Sequence, residues 1–126
     1  MKRGLFGAIL LVLLLAGGLL QRTAAREELS PIAADMDRAS QAVLRGDLTK
    51  TAALTASSRA AWEQYRLKYS CLTEQQEIRS IDCLFDEAEV FLTAGEKVHC
   101  SAACAELKNL LQALKEDQSL SIPHLL

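Results

Sequence analysis

Cysteine is the residue type best placed to support chemistry in this chain, which holds four cysteines but only two histidines, His99 and His124. Cys100 and Cys104 lie one helical turn apart, where two thiolates could share a metal ion, and His99 adjoins them. In a helix, however, the five positions from His99 to Cys104 amount to about 500° of rotation, so their side chains point about 140° apart. This segment alone therefore does not bring three metal ligands together.

Three interpretations are open for the four thiols, which belong to Cys71, Cys83, Cys100 and Cys104. An even number of cysteines outside the cytoplasm permits two disulfides, with three possible connectivities. A metal site is the second interpretation. In the third, Cys100 and Cys104 act as small hydrophobic side chains, because they share a helical stripe with Leu107 and Leu111. We favour this third interpretation and assign no metal ligand.

Acidic and aromatic residues offer two further candidates. Asp82, Asp86 and Glu89 follow one another at spacings of four and three, so they lie on one helical face. They could bind a cation, but exposed helices normally carry such charges, and we favour a solvated face. Trp62, the only tryptophan, could form a shelf for a ligand. We favour a buried ring, because one tryptophan can contribute much of a small core.

The sequence patterns of common enzyme classes are missing. The chain contains no Gly-x-Ser-x-Gly elbow, glycine-rich phosphate loop, His-Glu-x-x-His pair or Cys-x-x-Cys-His haem attachment. No nucleophile can be paired with a general base. We therefore expect no enzymatic activity and assign no catalytic or cofactor-binding residue and no cofactor.

The N-terminal segment predicts attachment to a membrane. Lys2 and Arg3 precede an uncharged apolar run at residues 4–20, whose 17 residues reach the lower limit of the roughly 17–25 that cross a bilayer as a helix. A cleaved signal peptide is the alternative, with Thr23-Ala24-Ala25 as its small-residue cleavage site. The positive-inside rule places the N-terminus in the cytoplasm and the rest of the chain outside. We divide the chain into an anchor or signal segment, 1–25, and an extracytoplasmic domain, 26–126.

The charge of residues 26–126 excludes one class of partner. This part of the chain carries 11 basic and 16 acidic residues, a formal charge of −5. Proteins that bind nucleic acid present a basic surface to the phosphates. We therefore expect no nucleic-acid partner.

The composition and spacing of residues 26–126 predict helices. Aromatic residues make up only 5% of the chain and prolines number two, which disfavours a β-sandwich or barrel. The first helix is predicted to begin at Ser30-Pro31, as an N-cap followed by proline. Three more are predicted at 48–68, 73–94 and 96–115, and the tail at 119–126 is expected to fold back on apolar surface. The fold class is all-α: an N-terminal transmembrane or signal helix, then a small antiparallel bundle of about four helices.

The inward faces of these helices follow from helical spacing of apolar residues. They are Ile32, Met36, Ala39 and Val43; Leu48, Ala52, Thr55, Arg59 or Ala60, Trp62 and Tyr65; Ile78, Ile81, Phe85, Ala88 and Leu92; Cys100, Ala103, Leu107, Leu110 or Leu111, and Leu114.

The triplet Arg45-Gly46-Asp47 invites an interpretation as an adhesion motif. It falls, however, where one helix must stop and the next must start. Gly46 can adopt the left-handed conformation that ends a helix, and the Asp47 carboxylate can cap the following one. We therefore interpret the triplet as helix punctuation.

Several segments resemble one family of small bacterial proteins, known as domain of unknown function number 4363. The matching segments are Gly46-Asp47, Trp62, residues 77–82, Leu92, residues 105–108 and the closing residues 120–126. The family commonly has a histidine just before the Glu-Ile of 77–78, where this chain has Gln75-Gln76. The resemblance implies a membrane helix followed by about 100 helical residues and supplies no activity.

Two classes of function remain. The first is a membrane-tethered interaction or structural module, anchored through residues 4–20, with a protein partner in the cell envelope; it needs no catalytic group. The second is a secreted or tethered thiol-based metal or redox binder that uses Cys100, Cys104 and a further thiol.

Overall fold

Four α-helices make up nearly all of the described chain: α1, Lys2–Leu44; α2, Leu48–Tyr69; α3, Gln75–Ala94; and α4, Lys97–His124. The computed structural model describes the backbone of residues 2–124 and the side chains of residues 2–116 except 22 and 72. A single 3-10 turn, Ser70–Leu72, links α2 to α3. The described backbone contains no strand. The predicted all-α fold with a four-helix bundle is therefore confirmed.

Helix α1 passes through two different environments without a break. The described side chains of residues 2–24 are exposed, and this part of α1 contains an 18-residue window of mean hydropathy 2.2. From Ala25 onward, buried residues recur at alternating spacings of four and three: Ala25, Leu29, Ile32, Met36, Ala39 and Val43. The helix that is long and apolar enough to cross a membrane is therefore the first core helix of the bundle.

The predicted helix start at Ser30-Pro31 is wrong, because α1 continues through Pro31. Proline has no N–H, so the carbonyl of Glu27, four residues earlier, lacks its helical donor. Glu27 and Pro31 are both exposed residues of α1, so the missing hydrogen bond lies away from the core. Leu29 and Ile32 are buried on the opposite side and pack in the core on either side of Pro31. Tertiary packing therefore outweighs the local start signal at Ser30-Pro31.

The helices run antiparallel to their neighbours. Lys68 of α2 contacts Glu28 of α1 at 3.0 Å. On α4, the Ser101 hydroxyl donates to the backbone carbonyl of Ser40 at 3.0 Å, and residues further along α4 face earlier residues of α1. The bundle thus has a near end, next to the apolar segment of α1. It includes residues 25–30 of α1, the α2–α3 link at 70–74 and the C-terminal turns of α4, since Lys115 lines the same cleft as Thr23 and Ser30. The turns at 45–47 and 95–96 form the far end.

The two far-end turns share one geometry. Gly46 has φ +85° and Gly95 has φ +75°, a left-handed conformation that glycine adopts without strain. After each glycine, the next N–H bonds back into the helix: Asp47 to the Ala42 carbonyl at 3.0 Å, and Glu96 to the Phe91 carbonyl at 2.9 Å. The predicted helix ends at Gly46 and Gly95 are confirmed.

Most predicted core positions are buried, but the face of α2 differs. On α3 and α4 the expected residues are buried or half-buried, and Leu111 is more buried than Leu110. On α2, Leu48 and Ala52 are exposed, so these two predictions are wrong. The buried face of α2 consists of Thr51, Thr55, Ser58, Trp62, Tyr65 and Tyr69. The first half of this face is polar. A prediction based on apolar residues therefore shifts the buried face along α2 by about one residue.

Two boundaries also differ from the prediction. α3 begins at Gln75 rather than Thr73, whose buried hydroxyl instead donates to the carbonyl of Tyr69 at 3.2 Å. Residues 119–124 continue α4 instead of folding back, so that expectation is wrong for these residues. Leu125 and Leu126 lie outside the described residues.

Candidate functional site

The most organised polar region is a charged seam between α2 and α3, formed by Arg59, Arg66, Asp82, Asp86 and Glu89. Arg59 contacts Asp86 at 2.6 Å and Glu89 at 2.9 Å, and Arg66 contacts Asp82 at 2.6 Å. Residue numbers rise along α2 and fall along α3, as antiparallel packing requires. The three carboxylates predicted to share a face are thus paired with arginines of the neighbouring helix.

Matched spacing produces this seam. Arg59, Trp62 and Arg66 follow one another at spacings of three and four, so they form one stripe on α2. The carboxylates at four and three form the complementary stripe on α3. The acidic stripe alone does not indicate this pairing, because the pairing depends on which helix carries a basic stripe of the same length. Hydrogen bonding to Asp86 raises the pKa of Arg59, so the guanidinium holds its proton more tightly.

Trp62 joins the seam to the core. Its ring is fully buried, and its Nε1–H donates to Asp82 Oδ1 at 2.7 Å. The ring stacks on Tyr65 with centroids 5.3 Å apart, and Tyr65 lies against Tyr69 at 5.1 Å. The buried-aromatic interpretation is confirmed, since a ring enclosed in this way presents no shelf to a ligand.

The four thiols fall into two pairs of different character. Cys100 and Cys104 are fully buried in the core, whereas Cys71 and Cys83 are exposed. Burial raises the pKa of Cys100 and raises that of Cys104 to about 12. The Cys100 thiol faces the carbonyl of Ala88 at 3.6 Å. The prediction that Cys100 and Cys104 point inward is confirmed, and both are poor sources of thiolate.

The candidate metal ligands His99, Cys100 and Cys104 differ in their exposure to solvent. His99 is exposed, pairs with Glu96 at 3.1 Å and lies beside the Phe91 ring, while the adjacent Cys100 is buried. Among the described residues, no group of three or more His, Cys, Asp or Glu side chains is placed to hold a metal ion. His124 has no described side chain.

The Arg45-Gly46-Asp47 turn matches its interpretation as helix punctuation. The Asp47 carboxylate accepts a hydrogen bond from the Lys50 N–H at 3.1 Å and caps α2. Gly46 takes the left-handed conformation that ends α1. Both residues therefore have a structural role in joining two antiparallel helices.

An open cleft of about 220 Å³ lies between α3 and α4 toward the near end. Ile81, Leu110 and Leu114 form its apolar floor, and Glu74 and Glu77 lie on its rim. Ser80 also lines this cleft, and its hydroxyl donates to the backbone carbonyl of Gln76 at 3.0 Å.

The architecture defines a small antiparallel helical bundle whose first helix extends into an apolar, membrane-length segment. The chain belongs to the family described as "Domain of unknown function (DUF4363)", whose model matches residues 24–124. The resemblance found in the sequence is therefore confirmed, and the match begins just beyond the apolar run. No curated protein and no solved structure matches the chain.

Proposed function

We propose that this protein is a membrane-tethered interaction or structural module of a bacterial cell envelope. Residues 4–20 span the membrane with the N-terminus in the cytoplasm, and the helical bundle stands outside. The observation that carries the proposal is the continuity of α1, which joins an exposed apolar segment to a buried core stripe within one helix. A domain attached in this way is held at a fixed height above the bilayer, as a scaffold or docking module requires.

The same continuity favours an uncleaved anchor over a secreted protein. Cleavage at Thr23-Ala24-Ala25 would cut within α1, directly beside the first core residue, since Ala25 is fully buried. The secreted chain would then begin with a frayed core helix. A helix that is needed on both sides of the cleavage site supports retention of the anchor.

A binding role suits the chemistry of the bundle better than the thiol-based alternative. The raised pKa of the buried thiols opposes the thiolate form that binds metals and attacks disulfides. In contrast, large apolar side chains are exposed at the far end, where Leu44, Leu48 and Val98 flank the two turns. We propose that a protein partner in the envelope contacts this end, the part of the bundle most distant from the membrane.

The native thiols provide the experiment that tests this topology. A membrane-impermeant maleimide is added to intact, wall-stripped cells that express the Cys71→Ser variant, in which Cys83 is the exposed thiol. We expect Cys83 to be labelled without lysis and the labelled protein to stay in carbonate-washed membranes. The matched control, Cys71→Ser/Cys83→Ser, should remain unlabelled. Labelling of Cys83 only after lysis would reject the orientation, and release by carbonate would reject the anchor.

A further inference from the structure

The α2–α3 link at residues 70–74 carries an inference about the near end of the bundle. We propose that this link lies within the lipid headgroup layer, so that the bundle contacts the membrane surface through the link as well as through α1 and the last turns of α4, which continue toward the apolar segment beyond Lys115. This inference rests on the proposed anchoring through residues 4–20. Its partner is a lipid surface, and the polar headgroups of zwitterionic phospholipids are the chemistry that fits.

The height of the link follows from the helix rise. Glu28 lies eight residues beyond Leu20 on the unbroken α1, about 12 Å further along the axis at about 1.5 Å per residue. Lys68 reaches Glu28 at 3.0 Å, which sets the level of α2 beside α1. α2 descends toward the membrane, and Cys71 follows three residues later. Cys71 therefore lies about 7 Å above the end of the apolar run.

The thickness of a bilayer places this height among the headgroups. The hydrocarbon core is about 30 Å thick and the whole bilayer about 40–45 Å, so each polar layer extends about 5–8 Å. The 17-residue apolar run is only about 25 Å long, so the hydrocarbon extends to Leu20 or slightly beyond it. Because α1 contains no flexible linker, the bundle has no hinge that would lift the link into water.

The side chains at this level suit a zwitterionic surface. Arg26 and Glu27 on α1, the Lys68–Glu28 pair, and Glu74 in the link present both signs of charge. Zwitterionic headgroups carry a phosphate and an ammonium group and can pair with both. Cys71 itself is exposed, so the link offers an accessible reporter.

Two native thiols at different heights make the proposal testable. Asp82 is paired with Arg66, two residues before Lys68, so its neighbour Cys83 lies about 16 Å above Leu20. The full chain is reconstituted in phosphatidylcholine nanodiscs. A fluorophore is attached to Cys71 in the Cys83→Ser variant, and to Cys83 in the Cys71→Ser variant. Cys100 and Cys104 are buried and serve as unreactive thiols in both variants.

The measurement compares fluorescence with and without lipids that carry a nitroxide on the headgroup. We expect the nitroxide to quench the Cys71 fluorophore to less than half its intensity and to leave the Cys83 fluorophore nearly unchanged. Equally weak quenching at both positions, in a chain that sediments with lipid, would overturn the inference and leave the anchoring intact. Equally strong quenching would overturn it too, because the bundle would then lie flat on the surface. A chain that does not incorporate into nanodiscs would overturn the proposed anchoring itself.

Discussion

The indole N–H of Trp62 donates to one oxygen of the Asp82 carboxylate at 2.7 Å, while Arg66 binds the other oxygen at 2.6 Å. The ring of Trp62 is fully buried, whereas Asp82 is half-buried on the neighbouring helix. A single carboxylate thus satisfies a buried donor and an arginine at once. This pairing holds α3 against the aromatic side chains of α2, which are Trp62, Tyr65 and Tyr69.

Replacing Asp82 with alanine should destabilise the bundle. The substitution leaves the buried Trp62 N–H without an acceptor, which costs about 1–3 kcal/mol in the free energy of unfolding. Thermal unfolding of the full chain in mild detergent, followed by circular dichroism, measures the effect. The control is Glu87→Ala, an exposed carboxylate on the same helix, which should change stability by less than about 0.5 kcal/mol. Equal effects of the two substitutions would show that the Trp62–Asp82 bond adds nothing.

Two buried hydroxyls on α2 predict stabilising substitutions. Among the described residues, Thr55 Oγ1 and Ser58 Oγ are buried without a hydrogen-bond partner. Thr55→Val keeps the shape of the side chain and removes the unpaired hydroxyl, so the free energy of unfolding should rise by roughly 1 kcal/mol.

The neighbouring Thr51 is the matched control for this substitution. Its buried hydroxyl donates to the carbonyl of Asp47 at 2.8 Å, so Thr51→Val should lower stability by about 1 kcal/mol. Melting midpoints that move in opposite directions support the assignment. A loss of stability in both variants would show that Thr55 has a partner.

Alkaline pH should weaken the bundle through Cys104. Burial raises its pKa from 9.0 to about 12, so the folded state holds the proton more tightly than the unfolded state. This contribution is fully present below pH 9 and is lost as the pH rises from 9 toward 12. Between pH 9 and pH 10 the free energy of unfolding should fall by roughly 1 kcal/mol. Cys104→Ala should lack this part of the pH dependence, and an identical slope in both proteins would contradict the assignment.

The Arg59 pairs should respond to salt. Asp86 and Glu89 are largely exposed, so their pairs with Arg59 are worth about 0.2–1 kcal/mol each and are screened by added salt. A double-mutant cycle of Arg59→Ala and Asp86→Ala, measured at low and high sodium chloride, isolates this coupling. We expect the coupling energy to shrink at high salt. A coupling energy that does not depend on salt would show that solvent ions do not screen the Arg59–Asp86 pair.

The sequence predicted the features of this fold that depend on local rules. These are the helix ends at Gly46 and Gly95, the N-cap at Asp47, and the buried faces of α3 and α4. Two of the wrong predictions, at Pro31 and at Leu48 with Ala52, share a cause. In each case packing against other helices decides which residues are helical or buried, and local propensity does not record it.

The charged seam could not be read from either helix alone. Asp82, Asp86 and Glu89 resemble any exposed acidic stripe until α2 places Arg59 and Arg66 opposite them. The signal was present as two stripes of equal length and opposite sign. Pairing them requires knowing that α2 and α3 are neighbours, which the sequence alone does not specify.

We propose that one helix serves both as membrane anchor and as core element, and the intact mass of the mature protein tests this dual role. Protein from carbonate-washed membranes is analysed by electrospray mass spectrometry. We expect a chain of 13.8 kDa that retains residues 1–25 and is found in the membrane fraction. A shorter chain that begins near Arg26 and appears in the soluble fraction would contradict it.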